Sequence, residues 1–135
     1  MHTIIRRLTL VAAACLASGA GSAWAEPGPL DGRKFEGVFI ERGKTSGDAD
    51  TITFKDGRFR SSACDRYGYS DAAYKSTAQG DIIAFEAETQ SPKYGRLAWK
   101  GTVRDGKLDA TAVMHREGKP AVENWVVAAS KRCCA

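Results

Sequence analysis

Between residues 61 and 74 the chain reads SSACDRYGYSDAAY, which gathers Cys64, Tyr67, Tyr69 and Tyr74 around one bend. A thiol in such a place can be a nucleophile, half of a disulfide or an inert packing group. Tyrosines, with an apolar ring and a polar tip, suit either a cap over a core or the rim of a binding site. Thiolate catalysis requires a base or cation within hydrogen-bond reach. The two histidines are His2 and His115, and His115 ends a segment far along the chain. Asp65 and Arg66 are nearer to the thiol, but such a pair also makes an ordinary solvated turn. Zinc needs about four ligands, and Cys133-Cys134 has no neighbouring histidine or second Cys-X-X-Cys. Glu86 and Glu88 fall two apart, on one face of a strand, and an outward face supplies no cleft for acid–base work. The chain carries no Ser-His-Asp order, phosphate-cradling loop or zinc signature. The residues therefore assign no catalytic group, metal or cofactor, and a binding function ranks above an enzymatic one.

The elements that must position these residues alternate. Apolar side chains recur at every second position, as in Phe35-Gly37-Phe39 and Ile52-Phe54, which is the period of a half-buried strand. Lys55-Asp56-Gly57-Arg58 and Arg104-Asp105-Gly106-Lys107 place Asp-Gly between alternating runs, a strong hairpin signal, and Gln79-Gly80-Asp81 and 116–120 read as looser turns. The segments TITFKDGRFRSSA and KGTVRDGKLDATA are alike enough to suggest a repeated hairpin. Strands are expected at 33–42, 50–55, 58–64, 72–78, 81–89, 95–104, 107–115 and 122–130, with no helix among them. The fold class is all-β. Eight strands joined by short turns are expected to close as an antiparallel up-and-down barrel, which leaves no unpaired edge.

The start Phe35-Glu36-Gly37-Val38, the strand Trp99-Lys100-Gly101-Thr102-Val103 and the closing strand with Trp125 resemble small lipocalin-like, or calycin-like, barrels. The likeness spans most of the chain after residue 25, although Phe35-Glu36-Gly37 stands where lipocalins have Gly-X-Trp. It implies a cavity for a small ligand and maps no family binding residue onto this chain.

Parity points Phe35, Phe39, Ile52, Phe54, Phe59, Tyr74, Phe85, Leu97, Trp99, Leu108, Met114, Trp125 and Val127 inward. That set can fill an eight-stranded interior. Gly37, Ser61, Ala63, Ala87, Gly101, Ala110 and Ala112 share the parity and leave room, so both a packed core and a ligand cavity remain open. Cys64 breaks the parity of its strand and is expected on the outer face. The candidate contact residues are Tyr67, Tyr69, Tyr74, Trp99 and Trp125, around a strand-three to strand-four loop at 65–71. They serve a small apolar or aromatic ligand or, alternatively, an exported protein partner that the tyrosine loop binds or inhibits.

Residues 1–25 combine a basic start, a short apolar run and small residues at Ala23 and Ala25, the pattern of a secretory signal. The run is too short to span a membrane. Ala12 stands where a lipobox before Cys15 would carry Leu. Residues 26–135 then form a single domain, periplasmic or secreted. Loss of Arg6 and Arg7 takes the net charge from +4 to +2, with interspersed signs that favour neither nucleic acid nor a membrane surface. Cys64, Cys133 and Cys134 remain, an odd number. In a meander the end of the third strand and the tail after the eighth lie at opposite poles, so Cys64 is expected not to bridge to Cys133 or Cys134 within one chain. Intact mass of the exported protein should begin at Glu26; retention of residues 1–25, or a lipid on Cys15, would contradict the signal reading.

Overall fold

The computed structural model describes residues 28–130. They form eight antiparallel strands: β1 (Lys34–Glu41), β2 (Asp48–Lys55), β3 (Arg58–Ser61), β4 (Ala72–Gln79), β5 (Ile82–Ser91), β6 (Gly95–Arg104), β7 (Lys107–His115) and β8 (Val122–Ser130). Each strand pairs with its sequence neighbours, and β1 pairs with β8 to close the barrel. The strand pattern follows from alternation: in β6, Leu97, Trp99 and Val103 are buried while Arg96, Lys100, Thr102 and Arg104 are exposed. Both Asp-Gly turns bend as the sequence predicts, with φ of 52° and 72° at Asp56 and Gly57 and 49° and 72° at Asp105 and Gly106. Positive φ at both central residues matches the twist of the flanking strands.

The two ends of the barrel differ. At the end holding the Asp-Gly turns, residues 28–33 cross beneath the strands and stopper the interior. Leu30 is fully buried, Gly32 N donates to Phe54 O at 2.8 Å, and the Asp31 carboxylate accepts from Gly57 N at 2.9 Å and from the Tyr74 hydroxyl at 2.5 Å. Above this stopper the rings lock together around Phe54, whose centroid lies 6.1 Å from Phe35, 5.5 Å from Phe59, 4.9 Å from Tyr74 and 5.1 Å from Phe85. The space over Gly101 and Ala110 is taken by Phe85: a Cβ on Gly101 would meet that ring at 2.8 Å. The opposite end carries the β1–β2, β3–β4, β5–β6 and β7–β8 loops.

Three expectations are corrected. β8 presents Asn124, Val126 and Ala128 inward, whereas Trp125 is 47% and Val127 53% exposed on the outer wall. The cause is the seam: Gly37 faces Ala128 and Phe39 faces Val126, and the inner face of β1 fixes the inner face of β8. β3 ends at Ser61, and residues Ser62–Tyr67 form a 3₁₀ turn where the sequence suggests continuing strand. That turn carries Cys64 into the core, 5% exposed, instead of leaving it on an outer face. Residues 1–25, Cys133 and Cys134 lie outside the described residues.

Phe54→Ala is expected to cost about 3–5 kcal/mol, as for other buried large aromatics, while Trp125→Ala should shift the denaturation midpoint only slightly, as surface changes do. Equal effects would mean that β8 is read one residue out of register. Ser130 N donates to Gly106 O, which fixes the end of β8 at the stoppered pole, roughly 25 Å of strand from Cys64 at about 3.3 Å per residue. Three residues to Cys133 reach at most about 11 Å, and a disulfide requires Cα atoms within about 7 Å. Non-reducing peptide maps should therefore contain no intramolecular Cys64–Cys133 or Cys64–Cys134 peptide.

Candidate functional site

The loop end of the barrel opens into a cup of about 390 Å³. Its floor is made by inward residues near the strand ends, Phe39, Leu97, Met114 and Asn124; its wall by Ala63, Cys64, Tyr69 and Tyr94; its rim by Glu41, Lys44, Ser46, Asp48 and Tyr67. Below the floor, Phe39 meets Trp99 at 5.9 Å and Trp99 meets Phe59 at 4.7 Å, so the aromatic core continues up to the base of the cup.

The wall is held by the 3₁₀ turn, and the turn is held by Asp50. This carboxylate, 2% exposed, accepts from Ser61 Oγ at 2.7 Å, Ala63 N at 3.1 Å and Ser62 Oγ at 3.4 Å; Ser62 Oγ in turn accepts from Thr51 N at 2.8 Å. A buried carboxylate is tolerated only with such donors, and satisfying it bends β3 away from the sheet. Gly68, in the left-handed region at φ 79°, ends the turn. Ser91 then joins two loops: its hydroxyl donates to Tyr67 O at 2.7 Å and its oxygen accepts from Tyr94 N at 3.2 Å. Tyr67 and Tyr94 meet edge to face at 5.4 Å, and the Tyr69 hydroxyl donates to Tyr94 O at 3.4 Å.

The predicted contact residues separate. Tyr67 stands on the rim, 40% exposed, and Tyr69 lies in the wall, 6% exposed. Tyr74 is at the opposite pole, half-buried against Phe54 and tied to Asp31, because β4 pairs with the lower end of β3 and then runs past it. Trp99 is in the core beneath the cup and donates from Nε1 to Thr89 Oγ1 at 3.2 Å. Trp125 is on the outer wall, its Nε1 donating to Glu123. The cup thus combines two of the five with Tyr94 and Asn124, which sequence reading missed. Tyr94 was hidden in a turn; Asn124 was hidden by the expected inward Trp125.

The chemistry of the wall is that of a closed thiol. Burial pushes the Cys64 thiol up to about 11, opposed by its contact with Ser61 Oγ at 3.4 Å and reinforced by the nearby Asp50 and Asp65 charges. Ring order places β3 and β7 four strands apart in either direction, and no hydrogen bond joins Cys64 to His115. Glu86 and Glu88 are exposed outside the barrel, with Glu88 paired to Arg96 at 3.2 Å. No cluster of three metal-ligating His, Cys, Asp or Glu occurs among the described residues. At the rim, Lys44 pairs with Glu41 at 2.9 Å, and Arg66 pairs with Asp48; hydrogen bonding to Glu41 raises the Lys44 ammonium and hydrogen bonding to Asp48 raises the Arg66 guanidinium.

With a folded value near 11 against an ordinary 9.0, the unfolded thiol ionises first on raising pH. The stability that burial of the neutral thiol contributes is whole below pH 9 and is lost between 9 and 11. Alkylation of Cys64 by iodoacetamide should accordingly be slow at pH 8 in the folded protein, rise steeply toward pH 11, and be fast at pH 8 once the chain is denatured. Fast modification of the native protein at pH 8 would show an open, activated thiol instead.

Comparison with known proteins finds no family model, no curated protein and no solved structure that matches this chain; the closed eight-stranded antiparallel barrel is compatible with the lipocalin-like resemblance and is itself what the structure establishes.

Proposed function

We propose that the protein is an exported, non-catalytic binding barrel that holds a small apolar or aromatic ligand in the cup at its loop end. One observation carries this reading: the interior is packed and stoppered at one pole but left open at the other, where about 390 Å³ is lined by Phe39, Leu97, Met114 and tyrosine rings. Ligand sites are concave, mainly apolar spaces of roughly 300–1,000 Å³ with a few placed polar groups. A wall thiol held protonated by burial suits packing better than nucleophilic attack. The outer face of β4–β6 sets Lys75 opposite Glu86 and Glu86 opposite Lys100, a surface made for water and costly against lipid. Among the described residues no helix is long and apolar enough to cross a membrane.

The alternative is a contact surface for another exported protein, favoured by the exposure of Tyr67 on the 65–71 loop. The two readings part in native mass spectrometry of protein recovered from its own host. A bound small molecule, lost from a Met114→Trp variant whose indole fills the cup, is the expected result. Protein that is always bare and binds no aromatic probe would overturn the binding-barrel reading.

A further inference from the structure

Asn124 is the deepest polar side chain of the cup and is 4% exposed. Its Nδ2 donates to Ala112 O at 3.1 Å and to Val122 O at 3.5 Å, which fixes the amide with both bonds on the nitrogen. Among the described residues, Oδ1 accepts from no group. Among the described residues no fully enclosed side-chain nitrogen or oxygen is without a partner, so Oδ1 reaches open space, and the space that Asn124 borders is the cup. A buried carbonyl oxygen with a free lone pair is an acceptor waiting for a donor, and leaving it unmade is costly when an apolar ligand displaces water. The other acceptors that line the cup, Glu41, Ser46, Asp48 and Tyr67, are less buried than Asn124. The Tyr69 hydroxyl is turned to Tyr94 O.

Charge is arranged differently. The ionic groups of the rim neutralise each other as Glu41–Lys44 and Asp48–Arg66, and no cation lines the floor or wall. Lys93 and Arg116 stand over the Tyr94 ring at 5.3 and 5.7 Å, but neither borders the cup. A carboxylate or phosphate carried inward would therefore lose its hydration with no counter-charge to meet it. The remaining surface is rings and a thioether: Phe39, Tyr69 and Tyr94 offer edges and faces to a flat π-system, and Met114 adds a polarisable contact.

We propose that the cup selects a neutral, flat aromatic molecule of one or two fused rings that enters with an N–H or O–H group foremost and donates it to Oδ1 of Asn124. This rests on the cup being the ligand site. Phenols, indoles and aromatic lactams share the required chemistry; aromatic acids of the same outline do not.

The test uses 2-naphthol, 2-methylnaphthalene and 2-naphthoate as probes of one shape, titrated calorimetrically against the wild-type protein and Asn124→Leu at neutral pH. Naphthol and methylnaphthalene should both bind the wild type, with naphthoate the weakest of the three. The naphthol-to-methylnaphthalene affinity ratio should fall about 3- to 10-fold in Asn124→Leu, the range expected for one net hydrogen bond. Should that variant not fold, nitrogen–proton spectra of the wild type give the same answer, because the Asn124 side-chain amide should shift with naphthol and stay nearly still with methylnaphthalene. An unchanged ratio in the folded variant, or equal amide shifts with both probes, would overturn the donor-first assignment while leaving the cup as a site. Naphthoate binding tightest would overturn the neutral class. Failure of all three to bind would sink the cup itself as a ligand site.

Discussion

At Gly37 the strands that close the barrel approach so tightly that a Cβ there would stand 1.9 Å from the Val127 carbonyl oxygen and 2.5 Å from the Ala128 Cα. This approach commits the whole of β8. With Gly37 opposite Ala128 and Phe39 opposite Val126, the residues that alternate with them, Trp125 and Val127, must point out. Side chains alternate with period two, so a slip of one residue would exchange the faces of every position. It would put an indole where Phe39 and Trp99 already meet at 5.9 Å, and it would turn Asn124 to the solvent. Closure also removes the free edges of the sheet, which in an open arrangement would leave β1 and β8 as templates for pairing with other chains.

The same cylinder is filled unequally because its two ends are built from different chain lengths. Tight Asp-Gly turns and the crossing segment at 28–33 leave no room at one pole, and the rings around Phe54 pack edge to face above Leu30. The pairing of Asp31 with Tyr74 joins that stopper to β4: the Tyr74 hydrogen bond, helped by Gly57 and Gly28 amides and opposed by burial, holds the Asp31 carboxyl below its ordinary value, while burial and the Asp31 contact hold the Tyr74 hydroxyl well above its own. Both shifts have the same structural meaning, since the contact is strongest with the acid ionised and the phenol neutral, the states of neutral pH. At the loop pole β3 stops at Ser61, and the 3₁₀ turn with its neighbouring loops stands around the opening instead of across it. A filled end gives the barrel its stability, and the unfilled end is the place where the proposed ligand would sit.

What could be read without the structure followed from periodicity and turn chemistry. Eight strands, their antiparallel order, the closed barrel and the two Asp-Gly hairpins all express local rules that tertiary context did not override. The errors fall where a tertiary contact decided a local choice. Trp125 and Val127 are more apolar than Asn124 and Ala128, so hydrophobicity alone chose the wrong face of β8; the seam at Gly37, a contact between the first and last strands, chose the other. Cys64 left its expected outer position because a buried carboxylate fourteen residues earlier in the chain, Asp50, needed the donors of Ser61, Ser62 and Ala63. Tyr74 was grouped with Tyr67 and Tyr69 by proximity in sequence, although the offset pairing of β4 carries it to the other pole. The cup drew on three loops and five strand ends, and no single stretch of sequence announces such a site.

Asp50 also decides what kind of site the cup can be. The Ser61 hydroxyl has one hydrogen, and its 2.7 Å contact with the carboxylate claims it in preference to the 3.4 Å contact with Cys64. The thiol, kept neutral chiefly by burial, lies at the longer and weaker of the two contacts of Ser61 Oγ. Thiol, hydroxyl and carboxylate form one buried polar chain that ties the 3₁₀ turn to β2. Ser91 does the same for the other side by binding the backbone of Tyr67 and Tyr94 at once. A ligand in the proposed site would meet walls already tied by these hydrogen bonds, and pre-organisation of that kind lowers the free-energy cost of binding.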